Sequence, residues 1–367
     1  MAWTTGSILG LGVTGYLASD KRNLVRADFP AADDANTTLL PDEREILQLA
    51  SLAPSGHNAQ PWFVQYLAPY HWVIGNDQTK WLPAVDPEQR ETMLSIGAFL
   101  QNLESAAGAL GYGCNWTLLA TTNQAERVME VKLAKDRSQP AFDVEKIKRR
   151  RTVRSGFQND PLKKADLEAL VNSDTEHLHY LPAASKEGQF VNEQTIEANR
   201  LQAYREPAQQ ELANWIRFSS KEARKQRDGL TTGGMEMAGG TGWFVRNFFD
   251  REDVMQSKFR EQSIELVKGE VAAAAGWLLV SSKGALVGTL LETGRRMQRL
   301  FLKARKRNLA IHPMSQILEE TSTRQSLATF IGGGEQTQFI LRVGYVANYP
   351  PPVSLRCPVS WFLRLPA

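Results

Sequence analysis

Two short stretches of this chain carry hydrogen-bonding groups densely enough to hold a polar ligand. Residues 50–62 read ASLAPSGHNAQPW. Pro54 ends a helix there, and Ser55, His57, Asn58 and Gln60 follow in a loop that closes on Pro61 and Trp62. Hydroxyl, amide and backbone N–H groups at this density suit a flat, hydrogen-bond-rich ligand such as a flavin ring with its ribityl chain. A helix-terminating turn with capping polar residues would use the same residue types. The second stretch, residues 149–154, reads RRRTVR. Arginine's planar fork suits bidentate phosphate binding, and the Thr152 hydroxyl adds a donor beside Arg150, Arg151 and Arg154. A solvated basic surface would have the same composition.

Other chemistry is poorly served. No Ser/His/Asp or Cys/His arrangement for nucleophilic catalysis is evident. His177 and His179 alternate on an expected strand without carboxylate or thiol partners, which makes a poor metal site. Cys114 and Cys357 sit in no CxxC spacing and read as two isolated thiols, so cysteine usage leaves the compartment open. Lysine and arginine total 43 against 40 acids, a formal charge of +3, which argues against a dedicated nucleic-acid binder.

The elements that must position these stretches follow from periodicity. A helix opens at Pro41-Asp42-Glu43 and runs through Leu52. Phe63 to Leu67 and Trp72 to Ile74 alternate like paired strands. Glu88 to Leu110 has the apolar stripe of a long helix, and Trp116 to Ala120 reads as a strand. After the basic run come a helix from Lys163 to Val171, a strand from Leu178 to Leu181, and two helices between Gln189 and Phe218 broken near Pro207. Residues 219–242 turn charged and then Gly-rich, as in a mobile surface segment. Trp277 to Ser281 and Gln336 to Tyr345 read as strands, Leu286 to Ala304 and Ser315 to Phe330 as helices, and Leu309 to Ile311 as extended. The two long helices repeat one pattern, a Gly followed by L/M-Q-x-L, in SIGAFLQNLESAAGALGYGCNW from Ser95 and ETGRRMQRLFLKARKRNLAIHP from Glu292.

The N-terminal region is a separate matter. Ile8 to Ala18 (ILGLGVTGYLA) is apolar and too short for a spanning helix. It reads either as a shortened export signal or anchor or as an arm packed on the body, so the chain is cytoplasmic or exported accordingly.

APSGHNAQPW paired with RRTVR resembles the nitroreductase superfamily of FMN enzymes. The whole layout is similar to its fused, double-length branch, the Acg-like FMN-binding proteins, over residues 41–358. DPEQRETMLSIGAFLQNLESAAGALGYG, ELANWIR with Asp228-Gly229, and GYVANYPPPVSLRCPV belong to the likeness. The resemblance implies an α+β nitroreductase-like fold, with two tandem halves forming an intramolecular pseudo-dimer. It divides the chain into an N-terminal arm (1–40), a first half (41–143) and a second half (144–367), with 219–242 as a possible lid. It also implies that Arg150, Arg151, Thr152 and Arg154 anchor the FMN phosphate. Pro54, Ser55 and Asn58 form the opposing loop, with His57 and Gln60 beside them. Pro313, Met314 and Ser315 then lie against the ring, and Arg356 lies near the phosphate.

The loop occurs only in the first half and the anchor only in the second, so one composite site per chain is expected. FMN supplies the redox chemistry, and no catalytic side chain is required. Two functions remain open. One is an oxidoreductase moving hydride from NAD(P)H through FMN to a nitroaromatic, quinone or similar acceptor. The other is a flavin-binding or sequestering protein with a lid-closed site. A membrane partner is expected only if Ile8 to Ala18 is an anchor.

Overall fold

The computed structural model describes residues 20, 22–29, 38–136, 138–172, 174–237, 239–332 and 334–366. The stretch Ile8 to Ala18 lies outside the described residues. The first helix, α1 (Pro41–Ala50), starts with Pro41, Asp42 and Glu43 in its first turn. Proline has no N–H to leave unpaired there, and the acids face the positive end of the helix. β1 (Trp62–Ala68) and β2 (His71–Asn76) pair antiparallel through Pro69-Tyr70. α2 (Arg90–Ala109) is followed by Gly111 at φ +77, then by β3 (Tyr112–Leu118) and β4 (Arg127–Lys135). The sequence reading began β3 four residues late and passed over β4. Glu130 and Lys132 alternate with the buried Met129, Val131 and Leu133, so β4 looks polar until β2 and β3 pair on either side of it.

α3 (Glu145–Arg149) leads into the basic run, followed by α4 (Lys164–Val171), β5 (Leu178–Pro182), α5 (Lys186–Tyr204) and α6 (Glu206–Trp215). Next are β6 (Ile216–Arg217), α7 (Ser220–Gln226), β7 (Leu230–Thr231), α8 (Gly239–Phe248), α9 (Arg251–Met255) and α10 (Ser257–Val271). The chain closes with β8 (Gly276–Ser282), α11 (Val287–Ala304), β9 (Leu309–Pro313), α12 (Gln316–Glu319), α13 (Thr321–Ile331), β10 (Gln336–Tyr345), α14 (Val359–Phe362) and β11 (Leu363–Arg364). The helix expected from Ser315 to Phe330 is divided because Glu320 is extended.

The fold is α+β. One sheet runs β11-β1-β2-β4-β3, with β11 parallel to β1 and the other pairs antiparallel. A second, antiparallel sheet runs β5-β8-β10-β9. Between them α2 and α11 pack so closely that a Cβ added at Gly97 would strike the Leu291 carbonyl oxygen. One added at Gly294 would strike the Leu94 carbonyl oxygen. Gln298 Nε2 donates to Asn102 Oδ1 (2.7 Å) and Arg299 Nη1 to Gln101 Oε1 (2.8 Å). One spacing separates Leu94 from Leu291, Gly97 from Gly294, Gln101 from Gln298 and Asn102 from Arg299. Each contact is therefore matched by its reciprocal, as across a two-fold axis. The turns after the two helices match as well, with Gly111 at φ +77 and Asn308 at φ +53.

One apolar cluster spans both sheets, from Ile46, Trp62, Trp72 and Phe99 to Phe301, Ile311, Leu341 and Phe362. The end of the chain returns to the first sheet as β11, so residues 41–143 do not complete their own sheet.

Candidate functional site

Loop 54–60 leaves α1 and turns sharply. His57, Asn58 and Gln60 have φ of 48°, 55° and 57°, a region costly for residues with a Cβ, roughly 1 kcal/mol each. The surroundings hold it there. Gln60 N–H donates to Ser55 Oγ (2.9 Å). Asn58 Nδ2 donates to the carbonyls of Gly229 and Leu355 (3.2 Å each). Gln60 Nε2 donates to Arg227 O (3.0 Å), and Gln60 Oε1 accepts from Cys357 N–H (2.9 Å). The side-chain amides of Asn58 and Gln60 thus tie the loop to the segment after α7 and to the chain's tail. Pro54, Ser55 and His57 are half-buried.

Arg356 also serves the loop. Nε donates to Ser51 O (2.8 Å), Nη2 to Leu52 O and Ala53 O (3.3 and 3.0 Å), and Nη1 to Asn58 Oδ1 and Leu355 O (2.7 Å each). The resemblance placed Arg356 near a phosphate. Its donors are instead spent on the carbonyl end of α1, where a cation is favourable, and what it offers an anion is its charge.

The basic run meets this loop from the other half. Val153 N–H reaches Ile311 O (3.4 Å), which lays residues 150–154 along β9. Arg150 is buried, at 3% exposure, with Nε and Nη1 lacking any partner. Its guanidinium lies over the Phe301 ring at 5.1 Å. Burial pushes Arg150 down to about 10. Burial and then Arg150 push Arg26 down to about 9. Arg356 is lowered by burial and then by Arg26 and Arg150. Arg26 and Arg356 thus both feel Arg150, and among the described residues no carboxylate pairs with any of the three. A buried guanidinium with open donors, flanked by two half-buried cations, is what a bound anion would satisfy.

Arg26 was not found from the sequence. It is one basic residue in a polar stretch. Only the arm's return, with Leu24 buried against Ala223 and Leu355, brings it here. Its Nε donates to Ser354 O (3.1 Å).

Arg151 and Arg154 are engaged differently. Arg151 Nη1 donates to Pro351 O (2.6 Å) and Nη2 to Glu236 Oε1 (2.5 Å). Glu236 Oε2 accepts from Ser155 N–H (2.7 Å), and Arg154 Nε donates to Gly234 O (3.2 Å). Residues 219–242 were expected to be a mobile surface segment. That expectation is overturned: Asp228, Thr231 and Thr232 are 1, 5 and 2% exposed, and Arg217 pairs with Asp228 at 2.7 Å. The glycines let the backbone approach closely, and Asp228 and Glu236 are paired inside, while Lys221, Arg224 and Lys225 stay exposed.

Arg154 Nη1 lies 2.7 Å from His312 Nε2. Burial and then Arg154 lower His57 to about 4, so its imidazole is neutral at pH 7. Arg154 of segment 150–154 is thus near enough to loop 54–60 to act on His57. The Thr152 carbonyl accepts from Arg151 Nε (3.3 Å). Pro313 ends β9 and Ser315 Oγ accepts from Ile340 N–H (3.2 Å). Met314, expected against the ring, is 2% exposed and packs with Trp277 and Ile317 in a second apolar cluster. Strand alternation turns its side chain away from its neighbours' face.

His177 does have carboxylate partners, contrary to the sequence reading. Asp174 lies at 2.8 Å and Glu335 at 3.7 Å. A separate basic cleft of about 730 Å³, lined by Phe142, Lys146, Arg299, Lys303 and Lys306 among others, shares no lining residue with the site.

A model of the nitroreductase family matches residues 147–345. The chain is 24% identical over 304 residues to the "Probable NAD(P)H nitroreductase PigM" of a Serratia strain, covering 78% of this chain and 83% of that protein. It is 26% identical over 339 residues to the acg protein of Mycobacterium tuberculosis, also named as an NAD(P)H nitroreductase, covering 86% and 93%. Among solved structures, the FMN-dependent nitroreductase NfnB of Mycobacterium smegmatis, in complex with NADPH, is 16% identical. It covers 61% of this chain and 97% of that one, with a TM-score of 0.37.

Proposed function

The chain belongs to the nitroreductase family, and on that premise we propose that it binds one FMN where loop 54–60 of the first half meets segment 150–154 of the second. It is a nitroreductase-type oxidoreductase, passing hydride from NAD(P)H through FMN to a nitroaromatic, quinone or similar small electrophile. The observation that carries this reading is the buried Arg150 with two open donors, flanked by the half-buried Arg26 and Arg356, with no carboxylate paired to any of the three among the described residues. A phosphate supplies the missing counter-charge. The names of the PigM and acg relatives support NAD(P)H as the reductant.

When bound, FMN supplies hydride acceptance and release itself. The protein's part is to bind and orient. Arg150 and Arg26 hold the phosphate, and Arg356 keeps the loop in place. Pro54, Ser55 and His57 line the facing wall, and the neutral His57 offers hydrogen bonding without a second charge there. Arg154 keeps a positive charge on that wall and favours added negative charge beside it.

A second reading, a closed flavin-holding protein with little turnover, is favoured by one observation. Glu236 reaches from the Gly-rich segment onto Arg151 and Ser155 and so pins that segment over the anchor.

Adding NADPH or NADH to the yellow protein without oxygen distinguishes the two. Bleaching of the flavin band, followed by reoxidation with a nitroaromatic, is the expected result. Flavin that stays oxidised with both nicotinamides defeats the oxidoreductase. In that case Glu236→Gln, which frees Arg151, restores bleaching if the segment is what excludes the nicotinamide.

A further inference from the structure

His312 breaks the pattern of its strand. Its neighbours Leu309, Ala310 and Ile311 on β9 are apolar and buried, yet position 312 holds an imidazole at 3% exposure. Its cross-strand partner on β10 is the buried Arg342. A leucine at 312 would leave no polar group unpaired, whereas a buried ring needs partners to offset its lost hydration.

One ring nitrogen has a partner. Arg154 Nη1 donates to His312 Nε2 (2.7 Å). A guanidinium has no acceptor, so Nε2 carries the lone pair and the ring proton sits on Nδ1. Burial, then Arg154 and Arg342, hold the imidazole well below its ordinary value, so it stays neutral. Nδ1 has no hydrogen-bond partner, and Glu270 Oε1, near the end of α10, lies 4.0 Å from it, beyond hydrogen-bond length. Among the described residues the bond to Arg154 is thus the hydrogen bond for which this ring is kept polar.

The same bond fixes Arg154. Its Nε donates to Gly234 O (3.2 Å), its carbonyl accepts from Arg342 Nη2 (2.5 Å), and His312 takes Nη1. The half-buried guanidinium is held at two of its three nitrogens, and Nη2 makes no hydrogen bond among the described residues. The charge of this group reaches His57 in loop 54–60.

We propose that His312 is the positioning residue for Arg154: it holds the guanidinium with one edge open to the ligand, and so sets how strongly the site favours reduced over oxidised flavin. This rests on FMN binding as proposed above. Hydride transfer from NAD(P)H yields NAD(P)+ and leaves the flavin with one more negative charge. A cation fixed beside it stabilises that charge, and a cation free to swing into water does so less. Glu270 acts with the opposite sign, because its carboxylate interacts with the Arg154 charge from behind.

Two readouts test this, and neither is turnover. Nitrogen-15 NMR of histidine-labelled protein, with His312→Gln identifying the signal, should show a neutral ring protonated on Nδ1. Spectroelectrochemical titration of the flavin-loaded chain should find that His312→Leu favours reduced FMN about tenfold less, which lowers the midpoint potential by about 30 mV. His312→Gln keeps an acceptor and should restore most of it, and Glu270→Gln should raise the potential. A ring protonated on Nε2 overturns the proposal even if His312→Leu does not fold. An unshifted potential in His312→Leu overturns it too. So do shifts of one sign in His312→Leu and Glu270→Gln, which general disturbance of the site would produce. A chain that holds no flavin overturns this and the proposed function together, whereas flavin-loaded variants with unshifted potentials overturn this alone.

Discussion

Arg150 sets the balance at the site. It is a cation buried without a counter-ion, which destabilises the empty protein, and its open donors are available to a phosphate. The two effects have opposite signs and can be read separately. Arg150→Met should raise the melting temperature of flavin-free protein and weaken FMN binding roughly a hundredfold, measured by flavin titration. Loss of both stability and binding would mean that Arg150 is structural. Arg26→Ala should also weaken binding, by less, because its Nε and Nη1 already donate to the Ser354 and Lys148 carbonyls. At this scale the sequence showed where donors and guanidiniums cluster, by type and spacing. It did not show how Asn58, Gln60 and Arg356 are engaged. Their hydrogen-bonding capacity is correct for a ligand but is consumed by backbone carbonyls remote in sequence.

At the scale of elements, the α2–α11 pair is the sharpest feature. Gly294→Ala forces backbone apart where helices touch, and it should cost about 3 kcal/mol in denaturant unfolding. A variant of wild-type stability would show that the close approach is not required. The start of α2 carries a pH-dependent weakness. Asp86 is 3% exposed and accepts from Thr92 N–H (3.0 Å). Burial, then Glu91, push it from 3.8 up to about 7. Because the folded value is the higher one, folding takes up a proton. The stability this group contributes is complete at acid pH and lost as pH rises through about 7. Asp86→Asn should therefore raise the melting temperature more at about pH 8 than at about pH 5. An equal gain at both would refute the assignment. The long helices were readable because periodicity over many residues outweighs any single exception. β4 and the helices of 239–271 were not, because their faces become meaningful only against their neighbours.

For the whole molecule, the reciprocal contacts of α2 and α11 and the apolar cluster spanning both sheets support two halves joined as a pseudo-dimer within one chain. The complementary site would need a loop like 54–60 in the second half and an arginine run in the first, and neither is present in the sequence. Native mass spectrometry of the flavin-loaded protein should find one FMN per chain. A ratio near two would overturn the pseudo-dimer with one live site. Thermal unfolding should be one cooperative transition, since no half closes its own sheet.

The sequence by itself determined the kinds of chemistry available: a polar loop in one half, an arginine run in the other, and two helices with matching small-residue patterns. These are local properties, carried by residue type and spacing. Tertiary structure alone decided that the arm brings Arg26 to the tail, that the tail brings Arg356 to the loop, and that Glu236 occupies Arg151. Each of these depends on which charges are buried together and which donors are already taken. Those quantities exist only once residues hundreds of positions apart have been brought into contact.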